Sequence, residues 1–447
     1  MLLFSACRVT KTYERPDVKT DSLYRDLAAA DTATIASLPY DEVFSDPILQ
    51  RLIEEGLQQN NDLKTAIAAM EEALASFKQS KAAFLPSLAI DASVTESKPT
   101  AVMVAIGSYT QYQLQATTSW EADIWGKLKS SKKAMYASLL KSDAARKTVL
   151  TQLIADIANS YYALMAYDNQ LAITEETLKN RVEDVKTMKA LKAGDVVTGA
   201  DLVQSEANRY AASLAIPDLL VSIRATENAL CVLLGRPPGK VERSKLQDQK
   251  TIADLAIGVP TQLLANRPDV QDAEYGLIAA FETTNIARTN FYPALTLTGS
   301  GGLSRTALTN FFSASSTFFS IVGGLAQPIF AQGANKAQLR TAAAQQKQAL
   351  YLFEQSLLNA GSEVSNALFT YQMAKRKTDD RKSQLNALTK AVSFTKQLLQ
   401  YSSATNYTDV LTAEQNLLTA KLSGVNDKLQ EFQSVVELYR ALGGGWR

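Results

Sequence analysis

Two thiols and no imidazole limit the reactive chemistry of this 447-residue sequence. Without histidine, the chain lacks the most frequent general base and the most frequent metal ligand of proteins. The thiols belong to Cys7 and Cys231. Cys231 lies in an apolar run of helical pattern, residues 229–234, which favours a small buried hydrophobic side chain over a disulfide with Cys7. We therefore expect no catalytic site and no metal site.

Cys7 stands in a different context, because the small residues Ser5 and Ala6 directly precede it. An apolar stretch that ends in small residues and a cysteine is typical of bacterial lipoprotein signals, whose cysteine becomes the acylated first residue of the mature protein. Only six residues precede Cys7, fewer than a secretory signal needs. We interpret residues 1–7 as a residual lipoprotein signal, and we expect a covalent lipid on Cys7 and no other cofactor.

Charge and glycine patterns exclude further classes of function. The 46 basic and 45 acidic residues give a formal net charge of +1, so we expect no nucleic-acid partner. Gly126-Lys127 lacks the preceding glycine that a phosphate-binding loop needs, and the sequence therefore does not indicate an enzyme. No run of about 18 apolar residues occurs, so no transmembrane helix is predicted.

The second half of the chain repeats the first. Residues 84–90, FLPSLAI, return as residues 291–297, FYPALTL, at an offset of 293 − 86 = 207 positions. Asp201-Leu202-Val203 likewise matches Asp409-Val410-Leu411, at 409 − 201 = 208 positions. Short solenoid repeats run about 20 to 50 residues, so this duplication is of another kind. One architectural unit was built twice, and the fold must have internal pseudo-symmetry.

Each half contains one very long helix. Residues 127–193 hold neither proline nor glycine over 193 − 127 + 1 = 67 positions, which predicts a helix of about 100 Å. A second helix of similar length is predicted to end at about Tyr401. Short breaks follow at 193–199 and 402–407, and a returning helix follows each break. We therefore predict two long helical hairpins.

Apolar residues at alternating steps of three and four indicate a coiled-coil seam on the second long helix. The seam consists of Leu350, Phe353, Leu357, Ala360, Val364, Ala367, Tyr371 and Ala374. On the first long helix, Tyr161, Tyr162 and Tyr167 are interpreted as packing residues.

A different periodicity precedes each hairpin. Gln111, Gln113 and Gln115 alternate with apolar residues, which predicts a strand with one polar and one apolar face. Three similar segments, near residues 88–95, 295–298 and 319–325, complete one strand pair in each half. Their length of about 10 residues suits a tilted strand that crosses a bilayer. Four aromatic residues are candidates for an interfacial girdle, although Trp125 is also a candidate core residue: Tyr109, Tyr112, Trp120 and Trp125.

Four strands cannot close a barrel, and open strand edges in hydrocarbon leave backbone groups unpaired at a cost of several kcal/mol each. Several chains must therefore combine. Two chains would give eight strands, whose interior side chains fill, whereas three would give twelve strands and room for water. A soluble sandwich with one wet face explains the strands alone but not the attached hairpins.

The sequence resembles the TolC family of outer-membrane efflux proteins, and within it the lipoprotein branch similar to OprM and NodT. The matching segments are spread over nearly the whole chain in the family's order. They include 120–127 (WEADIWGK), 233–237 (LLGRP), 267–270 (RPDV), 291–299 (FYPALTLTG), 328–330 (PIF) and 438–446 (LYRALGGGW).

The resemblance implies an α+β membrane protein that forms a homotrimer, with a 12-stranded β-barrel in outer-membrane lipid and a long periplasmic α-helical barrel. It implies two partners, a periplasmic adaptor protein and an inner-membrane pump of the resistance-nodulation-division type. The implied location is the bacterial outer membrane, lipid-anchored, with an extension into the periplasm.

The family places acidic rings just past its hairpin turns, where Asp201 and Asp409 stand in this sequence. The resemblance thus implies that both line a periplasmic gate. A plain alternative is that each carboxylate interacts with the dipole of a helix N-terminus. Seven turn residues are implied to contact the adaptor: Gly194, Asp195, Val196, Thr198, Ala404, Thr405 and Asn406. The second acidic residue of some relatives is replaced here by Thr412.

The duplication gives the bounds of the two repeats, and the resemblance implies the equatorial segments beside them. After the signal at 1–7 we predict an N-terminal equatorial segment at 8–46, the first repeat at 47–240, an equatorial linker at 241–260 and the second repeat at 261–447. The predicted function is a passive outer-membrane exit duct for small molecules in a tripartite efflux system, gated at its periplasmic tip. The alternatives are a periplasmic coiled-coil scaffold that transports nothing and a duct for protein secretion.

Overall fold

A computed structural model describes residues 9–18, 23, 25, 34–98, 108–249, 262–401 and 407–446. The helices of the first half are α1 (Tyr40–Val43), α2 (Pro47–Gln59), α3 (Asn61–Ala82), α4 (Lys127–Ala193) and α5 (Gly199–Leu233). Those of the second half are α6 (Leu263–Asn266), α7 (Pro268–Thr289), α8 (Ala334–Tyr401) and α9 (Tyr407–Ala441). The strands are β1 (Ser87–Ser97), β2 (Tyr109–Ala122), β3 (Ala294–Arg305) and β4 (Thr317–Ala326).

Both long helices are confirmed at their predicted positions. Helix α4 spans the 67 residues that lack proline and glycine, and α8 spans 68 residues and ends at Tyr401. Helices α5 and α9 return from them and have 35 residues each. The predicted unit of two strands and a long helical hairpin therefore occurs twice.

The four strands form one antiparallel sheet in the order β1-β2-β3-β4. Strands β1 and β2 pair within the first repeat, and β3 and β4 within the second. A central pairing of β2 with β3 joins the two repeats, with Thr117 opposite Ser300. Within the part of the chain that the structure describes, strands β1 and β4 are consequently the open edges of the sheet.

The two faces of the sheet differ in chemistry, as the alternation predicted. Leu88, Ile90 and Val94 lie on one face of β1, and they are exposed in the single chain. On the opposite face, Gln113 donates a hydrogen bond to Gln115 at 2.7 Å, and Gln111 donates one to Ser304 at 2.9 Å. The sheet thus presents one apolar and one polar surface.

The residues divide into two compact units, and each unit takes residues from both repeats. One unit contains the sheet and consists of described residues within 1–18, 68–143 and 272–354. The other unit consists of described residues within 19–67, 144–271 and 355–447. The duplication therefore shows itself in the order of the elements, and it does not produce one compact body per repeat.

Many of the buried core residues come from the long helices α4 and α8. The predicted seam of α8 is confirmed from Phe353 to Ala374, whose members are buried, whereas its first member, Leu350, is half-buried. Tyr161 is fully buried and donates a hydrogen bond to Asp46 at 2.7 Å. Asp46 also accepts a hydrogen bond from the Ile48 N–H and thereby caps the N-terminus of α2. Tyr162 stacks on Phe432, with ring centroids 4.8 Å apart. The packing role predicted for Tyr161 and Tyr162 is confirmed. Among the described residues, no helix is long and apolar enough to span a membrane.

Candidate functional site

The turn that ends α4 is a compact capping motif. The Val196 N–H donates to the Leu191 carbonyl at 2.9 Å, and the Asp195 N–H donates to the Lys192 carbonyl at 3.1 Å. Asp195 has φ 53°, the left-handed conformation that ends many helices, usually at glycine or asparagine. Gly194, Asp195, Val196 and Thr198 are all exposed. The predicted contact residues of this turn are therefore accessible in the chain.

Helix α5 begins with a reciprocal capping box, which Thr198 and Asp201 form. The Thr198 N–H donates to the Asp201 carboxylate at 2.9 Å, and the Asp201 N–H donates to the Thr198 hydroxyl oxygen at 3.2 Å. The Thr198 hydroxyl also donates to that carboxylate at 2.7 Å, and these bonds hold the pKa of Asp201 below its usual value. Asp201 thus caps the N-terminus of α5.

Asp409 occupies the equivalent place in the second repeat. It is the third residue of α9, as Asp201 is the third residue of α5, and its side chain is exposed. Three predicted contact residues of that turn, Ala404, Thr405 and Asn406, lie outside the described residues, and so does Cys7.

An apolar cluster connects the start of α9 to the end of α4. Met188, Tyr407, Val410 and Leu411 are buried together, and Leu191 packs against them. The Tyr407 hydroxyl donates to the Ser205 hydroxyl at 3.1 Å. These residues come from α4, α5 and α9, so the cluster holds the two hairpins together. Several of its members are close in sequence to Asp201 and Asp409.

An ion-pair cluster lies further along the same helices. Arg181 of α4, 3% exposed, pairs with Glu414 of α9, and Lys396 of α8 pairs with the other oxygen of Glu414 at 2.6 Å. Asp184 lies 3.8 Å from Arg181. Burial, followed by the negative charge of Glu414, raises the pKa of Asp184. This cluster, named here the Arg181–Glu414 cluster, joins three helices through four charges.

Sequence reasoning missed both clusters because their members are distant in the chain. Arg181 and Glu414 are separated by 233 positions, and no local pattern marks either residue. The capping box did have a local signal, since a threonine three residues before an acidic residue is its signature.

The structure also shows the surroundings of Cys231 and of two tryptophans considered for the interfacial girdle. Cys231 is fully buried, which confirms the interpretation as a small hydrophobic residue. Trp125 is half-buried, donates its indole N–H to the Pro293 carbonyl at 2.8 Å and lies against Tyr292. Trp120 is exposed and donates to the Phe84 carbonyl at 3.0 Å. Trp125 is thus a packing residue, and Trp120 remains a candidate for the girdle.

Comparison with known proteins identifies the family of this chain. The model of the outer membrane efflux protein family matches residues 52–236 and 259–444. The solvent efflux pump outer membrane protein SrpC of Pseudomonas putida is 29% identical over 465 residues, which cover 100% of this chain and 97% of that protein.

Two further proteins extend the comparison. The "Probable outer membrane lipoprotein SilC" of Salmonella typhimurium is 29% identical over 414 residues, 90% of this chain and 87% of that protein. A structure of the outer-membrane channel OprN superposes with a TM-score of 0.90 at 25% identity, over 98% of this chain and 100% of that one. The predicted α+β fold and the resemblance to the TolC-like channels are confirmed, and the chain belongs to the outer membrane efflux protein family, as an outer-membrane channel component for efflux.

Proposed function

We propose that three copies of this chain assemble into one exit duct for small molecules. In this proposal, the sheets form a 12-stranded barrel in the outer membrane, and the helical hairpins form a periplasmic tube. The duct is passive, because the chain carries no motif for an energy source. A periplasmic adaptor and an inner-membrane pump of the resistance-nodulation-division type drive the substrate into it.

The open sheet is the observation that carries this proposal. Among the described residues, strands β1 and β4 each leave one edge unpaired, and the apolar face of β1 includes Ile90, 74% exposed. In hydrocarbon such edges must pair, and copies of the same sheet supply the pairing partner. Three sheets of four strands enclose a lumen wide enough for water, and the glutamine face then lines it.

An apolar stripe on α5 supports assembly through the helices. Val203, Tyr210, Leu214 and Val221 are exposed and recur at intervals of seven and four residues. Such spacing places them on one side of the helix, as in a coiled-coil seam. Exposed apolar side chains that line one side of a helix mark a contact with another protein surface. A neighbouring copy of the chain is the cover that the proposed trimer provides.

The proposed gate lies at the hairpin turns. Asp201 and Asp409 each become a ring of three carboxylates in a trimer, and such a ring favours cations and repels itself. The proposed contact surface for the adaptor consists of the exposed residues Gly194, Asp195, Val196 and Thr198, together with 404–406. Opening then requires small shifts of the hairpins on adaptor contact.

Cys7 is the proposed site of lipid attachment. The small residues before it support this proposal, as does the similarity to the outer membrane lipoprotein SilC. Mass spectrometry of the purified full-length protein tests it. We expect acyl chains on the peptide that begins with Cys7, and unmodified protein would contradict the assignment.

Assembly is tested by substitution on the α5 stripe. Leu214→Asp places a charge in the proposed helix contact and is expected to reduce the trimer in detergent, as measured by light scattering after size-exclusion chromatography. Ser213→Asp places the same charge at the neighbouring exposed position, off the stripe, and is the matched control. A wild-type monomer or dimer, or equal loss with both variants, would contradict the proposal.

Single-channel recording in planar bilayers tests the gate. The wild-type trimer is expected to give small, cation-selective currents. Asp201→Asn combined with Asp409→Asn is expected to enlarge these currents and weaken the cation preference, because asparagine removes charge with little change in shape. Asp195→Asn is the control, since it removes an exposed carboxylate from the same turn.

Two outcomes would count against this account. If wild-type currents are unaffected by the double substitution, the gate lies elsewhere along the duct. If the folded trimer does not conduct at all, the periplasmic scaffold becomes the better interpretation. In that case high salt should release the protein from membranes, whereas an inserted barrel requires detergent.

A further inference from the structure

Charged residues are rare in the four strands, and they are not placed at random. The strands hold four charges, Asp91, Glu96, Glu121 and Arg305. Glu96 and Glu121 stand one residue from the end of their strands, and Arg305 ends β3. Asp91 alone among the four lies inside a strand, four residues from the start of the 11-residue β1. A charge inside a membrane-spanning segment is costly and is by default a candidate for function.

The register places Asp91 on the polar face of the sheet. It stands opposite Gln115 of β2, which in turn stands opposite Gly302 of β3. Its neighbours along β1, Ile90 and Ala92, belong to the apolar face by the alternation of the strand. Asp91 therefore shares a face with the glutamines, and that face is the one that lines the lumen in the proposed trimer.

The row of residues across the sheet at Asp91 contains no positive charge. Gln115, Gly302 and Phe318 are its successive members, so neither lysine nor arginine of this row can neutralise the carboxylate. Asp91 is also exposed in the chain. The field of a carboxylate that faces a water-filled lumen reaches the solutes that pass.

We propose that Asp91 is a second determinant of charge selectivity in this duct, separate from the carboxylates at the hairpin turns. Three copies form a ring of carboxylates in the membrane-spanning lumen, bordered by uncharged glutamines. The ring favours cationic solutes and small cations over anions. This inference rests on the proposed trimeric duct, because the ring exists only when three sheets enclose a lumen.

The test measures reversal potentials in a potassium chloride gradient. The parent protein carries Asp201→Asn and Asp409→Asn, so that the two proposed gate carboxylates contribute no charge. We expect the parent to retain a preference for potassium over chloride. Adding Asp91→Asn is expected to lower the permeability ratio by at least about twofold in 0.1 M salt, where the Debye length is about 10 Å. The difference should shrink in 1 M salt, where that length is about 3 Å.

Glu96→Gln in the same parent is the matched control. It removes one carboxylate from the same strand, but from the opposite face and near the strand end, and is expected to leave the ratio unchanged. Both variants must give the trimer mass of the parent in detergent. A conducting parent whose ratio is unaffected by Asp91→Asn overturns this inference and leaves the duct intact. A folded parent trimer that does not conduct overturns the duct, and the inference with it.

Discussion

The two returning helices, α5 and α9, have the same length and very different surroundings. Each has 35 residues, and their first residues are 407 − 199 = 208 positions apart. Thirteen residues of α9 are buried, whereas only five of α5 are. Helix α5 instead exposes large apolar side chains such as Leu214, 71% exposed. The two repeats therefore kept the length and position of the returning helix, but they differ in how much of that helix the chain buries.

This difference indicates a division of labour between the repeats. Helix α9 supplies much of the core of the single chain, including Phe432 against Tyr162 and the buried Leu438. Helix α5 keeps apolar residues at helical spacing, but the chain itself leaves them uncovered. The comparison thus separates residues that stabilise the protomer from residues available for assembly.

The largest expected effect comes from equal truncations on the two helices. Leu438→Ala leaves a cavity in the core and is expected to cost about 2–5 kcal/mol. Leu214→Ala removes the same atoms from an exposed site and is expected to cost the single chain less than about 0.5 kcal/mol. Thermal unfolding at several protein concentrations checks this prediction. Leu438→Ala should lower Tm at every concentration, whereas any effect of Leu214→Ala should depend on concentration, because it acts through association.

The comparison fails if Leu214→Ala lowers Tm as much as Leu438→Ala and independently of concentration. Leu214 would then be covered by its own chain, and the apolar stripe would lose its role in assembly.

Ion pairs of α4 extend the same contrast. Arg181 is buried and reaches Glu414 of α9, whereas Lys189 is 60% exposed and reaches Glu206 of α5 at 3.3 Å. Arg181→Met is expected to cost about 3 kcal/mol, because Glu414 and Asp184 lose their buried cation. Lys189→Met is expected to cost less than about 1 kcal/mol. Urea unfolding checks both, and equal effects would show that the two returning helices are held alike.

The sequence was sufficient for features that depend on local pattern. The bounds of α4 were predictable because proline and glycine are absent from 67 consecutive residues, and the α8 seam because its apolar spacing repeats. The polar and apolar faces of β2 followed from its alternation. Each of these features is set by interactions within one element, so the order of residues along the chain contains the information.

Features that depend on distant partners were not predictable in this way. The pairing of β2 with β3 joins residues of different repeats, and Arg181 meets Glu414 across 233 positions. Nor did the sequence distinguish the burial of α9 from that of α5, since both helices carry apolar residues at helical spacing. The packing of all the helices decides which of the two apolar stripes, that of α5 or that of α9, is buried within the chain.

The pH dependence of two carboxylates sharpens the contrast further. The pKa of Asp184, near Glu414 of α9, is raised by burial, and that of Asp201, at the start of α5, is lowered by its bonds to Thr198. A raised pKa means that the folded state holds the proton more tightly. The contribution of Asp184 to stability is therefore complete below its unfolded pKa of about 3.9 and is lost as pH rises through its folded pKa.

Asp184→Asn should remove this loss, because asparagine does not titrate. We expect the variant to be about 1 kcal/mol more stable than wild type at pH 7, with the gap closing near pH 4. Asp201→Asn should show the opposite slope, since the stabilisation from a lowered pKa is lost as pH falls. Unfolding midpoints from pH 4 to 8 check both slopes, and a gap for Asp184→Asn that is constant with pH would contradict this assignment.

The smallest expected effect concerns how each returning helix begins. Helix α9 begins with the buried residues Tyr407 and Val410, whereas the first turn of α5 has no buried residue, its Leu202 is only half-buried, and the turn depends on the Thr198 cap. Thr198→Ala removes the hydroxyl that accepts the Asp201 N–H and is expected to cost the first turn about 1 kcal/mol. Hydrogen exchange at residues 199–205 should then accelerate about fivefold, since 1.4 kcal/mol corresponds to a factor of ten. Thr198→Ser keeps the hydroxyl and should retain slow exchange. If Thr198→Ala leaves exchange unchanged, the start of α5 is held by packing, as that of α9 is, and the two helices differ less than their burial indicates.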